Sequence, residues 1–466
     1  MTVTVLLSRP QRDVWQRIGD WLARHQRQIR WLQWSVVSVY AALLVAPVLR
    51  PMPGNAAHIW DDFTRFAQFA FWGIWWPMVL LATALVGRVW CGLLCPEGAI
   101  SEFSSRHGRG GGIPRWVKWN GWPTIAFAGT TLYGQMVSVY QYPKPALLVL
   151  GGSTLAAAIV GYLYGKEKRV WCRYLCPVGG VFGLLAKLAP LHFRVDAEIW
   201  RETQRAGFKP GAVNCAPLVP LKTMRGASDC HMCGRCSGFR GAIRLARRSP
   251  LHEIVHVAGE HPKPWETVLI VFGLMGVAVG AFHWSVSPWF NAAKQWVAEW
   301  LVERGVLWPL EISPPWWVLT NYPERNDVLS LLDGVILVSY VLTTALAVGL
   351  AITLLLSLAT LCLGRWNAAR FHHFAQTLIP LAAAGVFLGL SALSVTQLRM
   401  DGIDLPWVDE ARGAMLFLAS GWSGVLCWRV TGLYCKPPRR RMMALASVGL
   451  AVAIANAGWF LFFWGW

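Results

Sequence analysis

The sequence predicts an all-α, polytopic membrane protein with about nine transmembrane helices. Three observations carry that expectation. The 466 residues are 55% hydrophobic and only 14% charged. Apolar runs of about 20 residues recur, each long enough to cross a hydrocarbon core of roughly 30 Å. Tryptophans, 29 in all, gather at the ends of those runs, as at Trp72, Trp75 and Trp76, Trp284 and Trp289, and Trp459, Trp464 and Trp466. Amphipathic rings favour that interfacial depth.

In chain order, residues 1–30 form a basic segment with Arg9, Arg12, Arg17, Arg24, Arg27 and Arg30. Val14, Ile18, Trp21 and Leu22 fall at helical spacing, which predicts an amphipathic helix on the membrane surface. The segment is too long and polar for a cleaved leader, so the first span reads as an uncleaved anchor. Nine spans follow, at about 31–49, 67–88, 122–140, 146–165, 266–286, 332–362, 374–397, 412–434 and 443–463. They divide the chain into a four-span core (31–189), a polar insert (190–262) and a five-span C-terminal part (263–466).

Charge orients this map. With the N-terminus in the cytoplasm, the inner segments hold 35 Lys and Arg against 12 Asp and Glu, and the outer ones 8 against 12. The net charge of +19 is therefore a positive-inside signature and no sign of a nucleic-acid partner. An odd number of crossings puts the C-terminus in the periplasm of a bacterial inner membrane. All 11 cysteines fall on the inner side or at inner span ends. Structural disulfides belong on the oxidising side, so these thiols read as metal ligands or redox groups.

The densest motif lies in the insert, at Asp229–Arg240. Cys230, Cys233 and Cys236 recur every three residues, the run that opens a ferredoxin-type 4Fe-4S site. The usual fourth cysteine is replaced by Arg240, which leaves Cys215 in the same polar segment as the fourth ligand. The same four thiols also suit Zn²⁺. In the rest of the insert, Glu198–Arg205 reads as a short helix, Pro210, Gly211, Pro217 and Pro220 mark irregular chain, and Gly241–Pro250 reads as a basic helical turn.

A second motif is duplicated. Arg88–Ile100 (RVWCGLLCPEGAI) and Arg169–Val181 (RVWCRYLCPVGGV) share R-V-W-C-x-x-L-C-P-x-G, each after an outside-to-inside span. The spacing puts Cys91 with Cys95, and Cys172 with Cys176, on one face of a helical turn. Proline then turns the chain out of helix and can start the next one. Nearby arginine and a following helix N-terminus should lower the thiol pKa. These pairs can bind a second metal, pass electrons as dithiol and disulfide, or simply pack. His283, His372 and His373 lie at span ends, where haem or quinone contacts compete with ordinary interfacial roles. Cys362, Cys427 and Cys435 carry no motif.

Paired C-x₃-C-P motifs followed by a cytoplasmic cysteine run resemble the membrane-bound polyferredoxins of the NapH, NosR and FixG/CcoG types. The resemblance covers about residues 30–250. It implies four core spans, cytoplasmic 4Fe-4S clusters, and electron transfer between a quinol or cytosolic donor and a membrane or periplasmic acceptor. For some members it also implies copper handling. The chain has one C-x₂-C-x₂-C run where many members have two, and five further spans. The expected function is membrane-bound single-electron transfer with a respiratory or reductase redox partner protein. A subunit fits this better than a self-sufficient enzyme. The alternatives are a copper-reducing maturation factor that uses the C-x₃-C-P thiolates, since soft thiolates select Cu(I), and a redox-sensing membrane regulator.

Overall fold

The computed structural model describes residues 13–466 apart from Asn55 and residues 208–210. Arg9 and Arg12 of the basic segment and Pro210 of the insert lie outside the described residues. The architecture is mostly helical. Among the described residues, six helices are long and apolar enough to cross a membrane: α3 (Phe63–Val86), α6 (Pro143–Leu163), α9 (Pro264–His283), α10 (Leu331–Cys362), α11 (Ile379–Met400) and α13 (Pro438–Gly465). This is the helix set of a multi-pass membrane protein. The other three expected spans are also helices, but none reaches both limits. Helix α2 (Gln26–Val45) opens with Gln26, Arg27, Gln28 and Arg30. Helix α5 (Trp122–Met136) has 15 residues, a length of about 22 Å. Helix α12 (Val408–Tyr434) carries Asp409, Glu410, Arg412 and Arg429.

Local sequence explains where the helices begin. Pro143, Pro264 and Pro438 open their helices, where a missing N–H costs nothing. Ser330 caps α10 in a reciprocal box with Asp333. Helix α10 has 32 residues, about 48 Å. It exceeds the bilayer core and must tilt or project. It packs along α9 and α13 around a core that includes Leu274, Ile352, Leu356, Leu378, Leu426 and Val448. The loop between α9 and α10 holds a helix, Pro288–Glu303, with Trp289, Trp296 and Trp300 exposed along it.

The duplicated unit packs as a pair. Helix α4 (Pro96–His107), which follows the first motif, lies against α6 so closely that a Cβ on Gly161 would stand 2.4 Å from the Ser101 carbonyl oxygen. After the second motif, the short apolar helix α7 (Gly179–Leu188) enters the main core through Phe182, Leu184 and Leu185.

The insert departs from the all-helical expectation. Strands β1 (Leu191–Val195) and β2 (Ile243–Arg247) form an antiparallel pair with Phe193 opposite Leu245, and α8 (Ala197–Arg205) follows β1, capped by Asp196. The basic stretch after the cysteines is thus a strand, not a helical turn. Ile243 and Leu245 point inward and Arg244 outward, a period of two. Helix α1 (Val14–Arg24) is amphipathic as expected, but one side lies on this sheet. A Cβ on Gly19 would stand 2.8 Å from the Ser237 hydroxyl and 3.1 Å from Leu245, and Arg247 stacks over Trp15. The N-terminal segment and the insert therefore share a small core built on Leu191, Phe193, Ile243 and Leu245.

Candidate functional site

The fold gathers eight cysteines into two groups of four. In the first, Cys91 lies in a wide helical turn, Trp90–Leu94, and Cys95 caps α4, with its sulfur accepting the Gly98 N–H at 3.4 Å. From the second repeat come Cys172, on the short helix Val170–Tyr174, and Cys176 just beyond it. The four thiols are close enough to influence one another's ionisation, and all four line one cavity. Burial pushes the Cys95 and Cys176 thiols well up and Cys172 to about 12. The helix N-terminus does not lower them as the sequence suggests, because desolvation outweighs it. A cation must displace these protons, as metal binding does.

The second group is Cys215, Cys230, Cys233 and Cys236, again mutually sensed. The loop winds through left-handed backbone at Met232 and Gly234. That geometry lets the Met232 N–H reach the Cys230 sulfur at 3.4 Å. Cys215 comes from a separate segment, held by the Arg169 N–H to the Ala216 carbonyl (2.8 Å) and by Lys168 to Asn214. Burial raises the Cys230 thiol to about 12 and the Cys236 thiol further. Among the described residues, no three His, Cys, Asp or Glu side chains close up as ligands of a single metal ion.

The two groups meet directly. A Cβ on Gly92 would lie 2.0 Å from the His231 carbonyl oxygen and 2.9 Å from the Cys233 nitrogen, so only glycine lets these turns touch. Gln33 holds the Gly92 carbonyl at 2.9 Å. Around the contact, Arg169 donates to the Cys91 carbonyl (2.6 Å) and to Glu102 (2.9 Å). Arg235, between Cys233 and Cys236, grips both oxygens of Glu102 at 2.9 Å and also donates to Gln26. Gln26 in turn donates to the Cys233 carbonyl at 2.9 Å. Burial works against the Glu102 carboxylate, but Arg169 and Arg235 together hold it down to about 2. Glu102 is thus the joint between both repeats and the insert.

Several buried polar nitrogens at this contact lack a partner. They are Arg88 Nε, Arg169 Nη2 and both ring nitrogens of His231, which is 1% exposed. Burial, Arg88, Arg169 and Arg173 hold its imidazole neutral. Orphaned donors beside eight clustered thiols suit an anionic, sulfur-rich group.

The comparisons bear on this geometry. Residues 68–114 and 147–196 match the Fer4_5 family, described as a 4Fe-4S binding domain. The chain carries a 4Fe-4S binding domain. Each match contains one C-x₃-C-P pair, so the family signal falls on the duplicated motif and ends before Cys215. Over 227 residues the chain is 21% identical to a protein named "Putative electron transport protein YccM" from Escherichia coli strain K12, covering 43% of this chain and 62% of that protein. The chain therefore matches about three-fifths of that relative's length. No solved structure matches it significantly.

The remaining sequence candidates are accounted for. His373 bonds to the Ile254 carbonyl and to the Tyr434 hydroxyl, each at 2.7 Å, and His372 to Thr267 at 2.9 Å. His283 stacks on Phe462. Cys427 is buried in the main core, and Cys362 and Cys435 pack against it. Gly92, Glu102, His231 and Gln26 were not singled out by sequence. Only His231, inside the cysteine run, and the arginine shared by both repeats left a signal.

Proposed function

We propose that this chain is a membrane-bound iron–sulfur protein that passes single electrons between a cytoplasmic or quinol donor and a membrane or periplasmic redox partner. The observation that carries the reading is the contact of Gly92 with His231 and Cys233, which sets two four-cysteine groups back to back. Cys91, Cys95, Cys172 and Cys176 would hold one 4Fe-4S centre, and Cys215, Cys230, Cys233 and Cys236 the other. Such a centre supplies one-electron reduction and oxidation when bound.

The chain's own residues do the rest. The insert faces the basic, cytoplasmic side of a bacterial inner membrane and presents its cysteine loop there. The duplicated motif borders a cavity of about 210 Å³ walled by Phe71, Trp72, Trp75, Trp76, Trp90 and Phe127. These rings exclude water and offer flat apolar surface. Polar groups stand at its edge: the Tyr40 hydroxyl, bonded to Thr154 at 3.0 Å, and the Glu97 carboxylate, bonded to Ser153 (2.6 Å) and Trp171 (3.0 Å). An apolar slot with a few convergent polar groups fits a lipid-soluble quinol.

The test is iron and sulfide analysis with EPR on anaerobically purified protein, beside Cys215→Ser and Cys172→Ser. The expected result is four irons for each four-cysteine group, reduced-state signals, and loss of a different signal in each variant. Zinc in place of iron would remove the electron-transfer reading. Copper at the C-x₃-C-P thiols, lost on their replacement by serine, would favour a maturation factor.

A further inference from the structure

We infer that Arg88 and Arg169, at equivalent positions of the two repeats, form with His231 a buried positive junction between the two four-cysteine groups, and that the charge of the two arginines raises the reduction potential of the centre held by Cys91, Cys95, Cys172 and Cys176. The inference rests on the iron–sulfur reading above.

Both guanidiniums are deeply buried, Arg88 at 5% and Arg169 at 1% exposure. A buried cation is costly unless an anion and hydrogen bonds answer it. Arg169 shares Glu102 with Arg106 and Arg235, so one carboxylate serves three cations. Arg88 donates to the Ser228 carbonyl at 3.0 Å and lies within electrostatic reach of Cys91. Asp229 lies within its reach but is paired with Arg173 at 2.9 Å and Lys263 at 3.6 Å. Cations outnumber carboxylates at the junction. Arg88 senses Cys91 and Cys176 on one side and Asp229 on the other, and Arg169 senses Cys172 and Cys233. Each arginine thus lies within electrostatic reach of both groups, Arg88 through Cys230 on the insert side. The unpartnered Arg88 Nε and Arg169 Nη2, with the single N–H of the neutral His231 ring, mark where more acceptors belong.

A thiolate-ligated 4Fe-4S group is anionic and gains one further negative charge on reduction, so fixed cations beside it favour the reduced form. Guanidinium does not deprotonate in proteins, so this contribution does not titrate away. His231 adds one N–H donor without adding charge. The two arginines act through the bound group and are positioning residues.

The experiment is an EPR-monitored redox titration of the full-length protein in detergent, for wild type, Arg88→Gln, Arg88→Lys, Arg169→Gln and Arg169→Lys. The expected result is a lower midpoint in each Gln variant for the signal that Cys172→Ser removes. The shift should be about tenfold in the reduction equilibrium, 59 mV for a one-electron couple. The Lys variants should stay near wild type. Iron lost from a Gln variant and restored by Lys also counts for the charge. Iron-loaded Gln variants at the wild-type midpoint overturn the inference, and so does iron loss that Lys does not restore. Wild-type protein without iron would instead sink the functional reading itself.

Discussion

Gly92→Ala is the sharpest test of the contact between the two cysteine groups. The added methyl would sit 2.0 Å from the His231 carbonyl oxygen and 2.9 Å from the Cys233 nitrogen. Both neighbours are backbone and cannot rotate away. One loop must withdraw by about 1 Å to restore even a tight contact of about 3 Å, because interiors are packed too densely to absorb it locally. Overpacking of this kind costs about 1–3 kcal/mol, roughly 5–150-fold in the folding equilibrium. The Gly92 carbonyl, held by Gln33, and the Cys233 carbonyl, held by Gln26, would be strained together. The assay compares iron content, thermal unfolding and the magnetic interaction between two reduced centres in wild type, Gly92→Ala and Gly112→Ala. The last is the control, since a Cβ there meets nothing within 4 Å. Gly92→Ala should unfold earlier and show a weakened interaction, and Gly112→Ala should match wild type. A Gly92→Ala protein with wild-type stability and unchanged interaction would refute the back-to-back arrangement.

Further outcomes follow from the same geometry. Glu102, depressed from 4.5 to about 2, contributes stability that is fully present above pH 4.5 and lost as pH falls towards 2. Its size is about 3 kcal/mol. Glu102→Gln should therefore be less stable than wild type at pH 7, with the gap only narrowed at pH 3 because the folded-state carboxyl is still ionised there, as read by chemical denaturation at the two pH values. Glu253 accepts the Ala227 and Ser228 N–H groups and pairs with buried Arg248. Glu253→Gln strands that arginine, so it should cost about 3–5 kcal/mol and speed iron loss to a chelator; a wild-type rate would count against it. Cys427→Ser, at a thiol packed in the main core and outside both proposed ligand sets, should leave all EPR signals unchanged. An altered spectrum there would mean the ligand sets are wrong.

The sequence alone was enough for the membrane class, the duplicated motif and the grouping of cysteines by spacing. Those features are local: runs of apolar residues, an eleven-position repeat, and thiols three apart write their chemistry within a few turns of chain. Cys215 is a fourth-ligand candidate by elimination alone, because nothing in its own neighbourhood marks it. Strand β2 was misread as helix because arginines at Arg244, Arg247 and Arg248 mask the alternation of Ile243 and Leu245. Three expected spans proved helical but too short or too polar by composition to stand beside the other six. Tertiary structure alone decided that α1 lies on the insert, that Glu102 ties the distant Arg169 and Arg235 together, and that Gly92 meets His231. These contacts join residues 67 or more positions apart. Charge balance and close approach are properties of the folded neighbourhood. A buried arginine reads in sequence like any interfacial one until the fold shows which anions surround it.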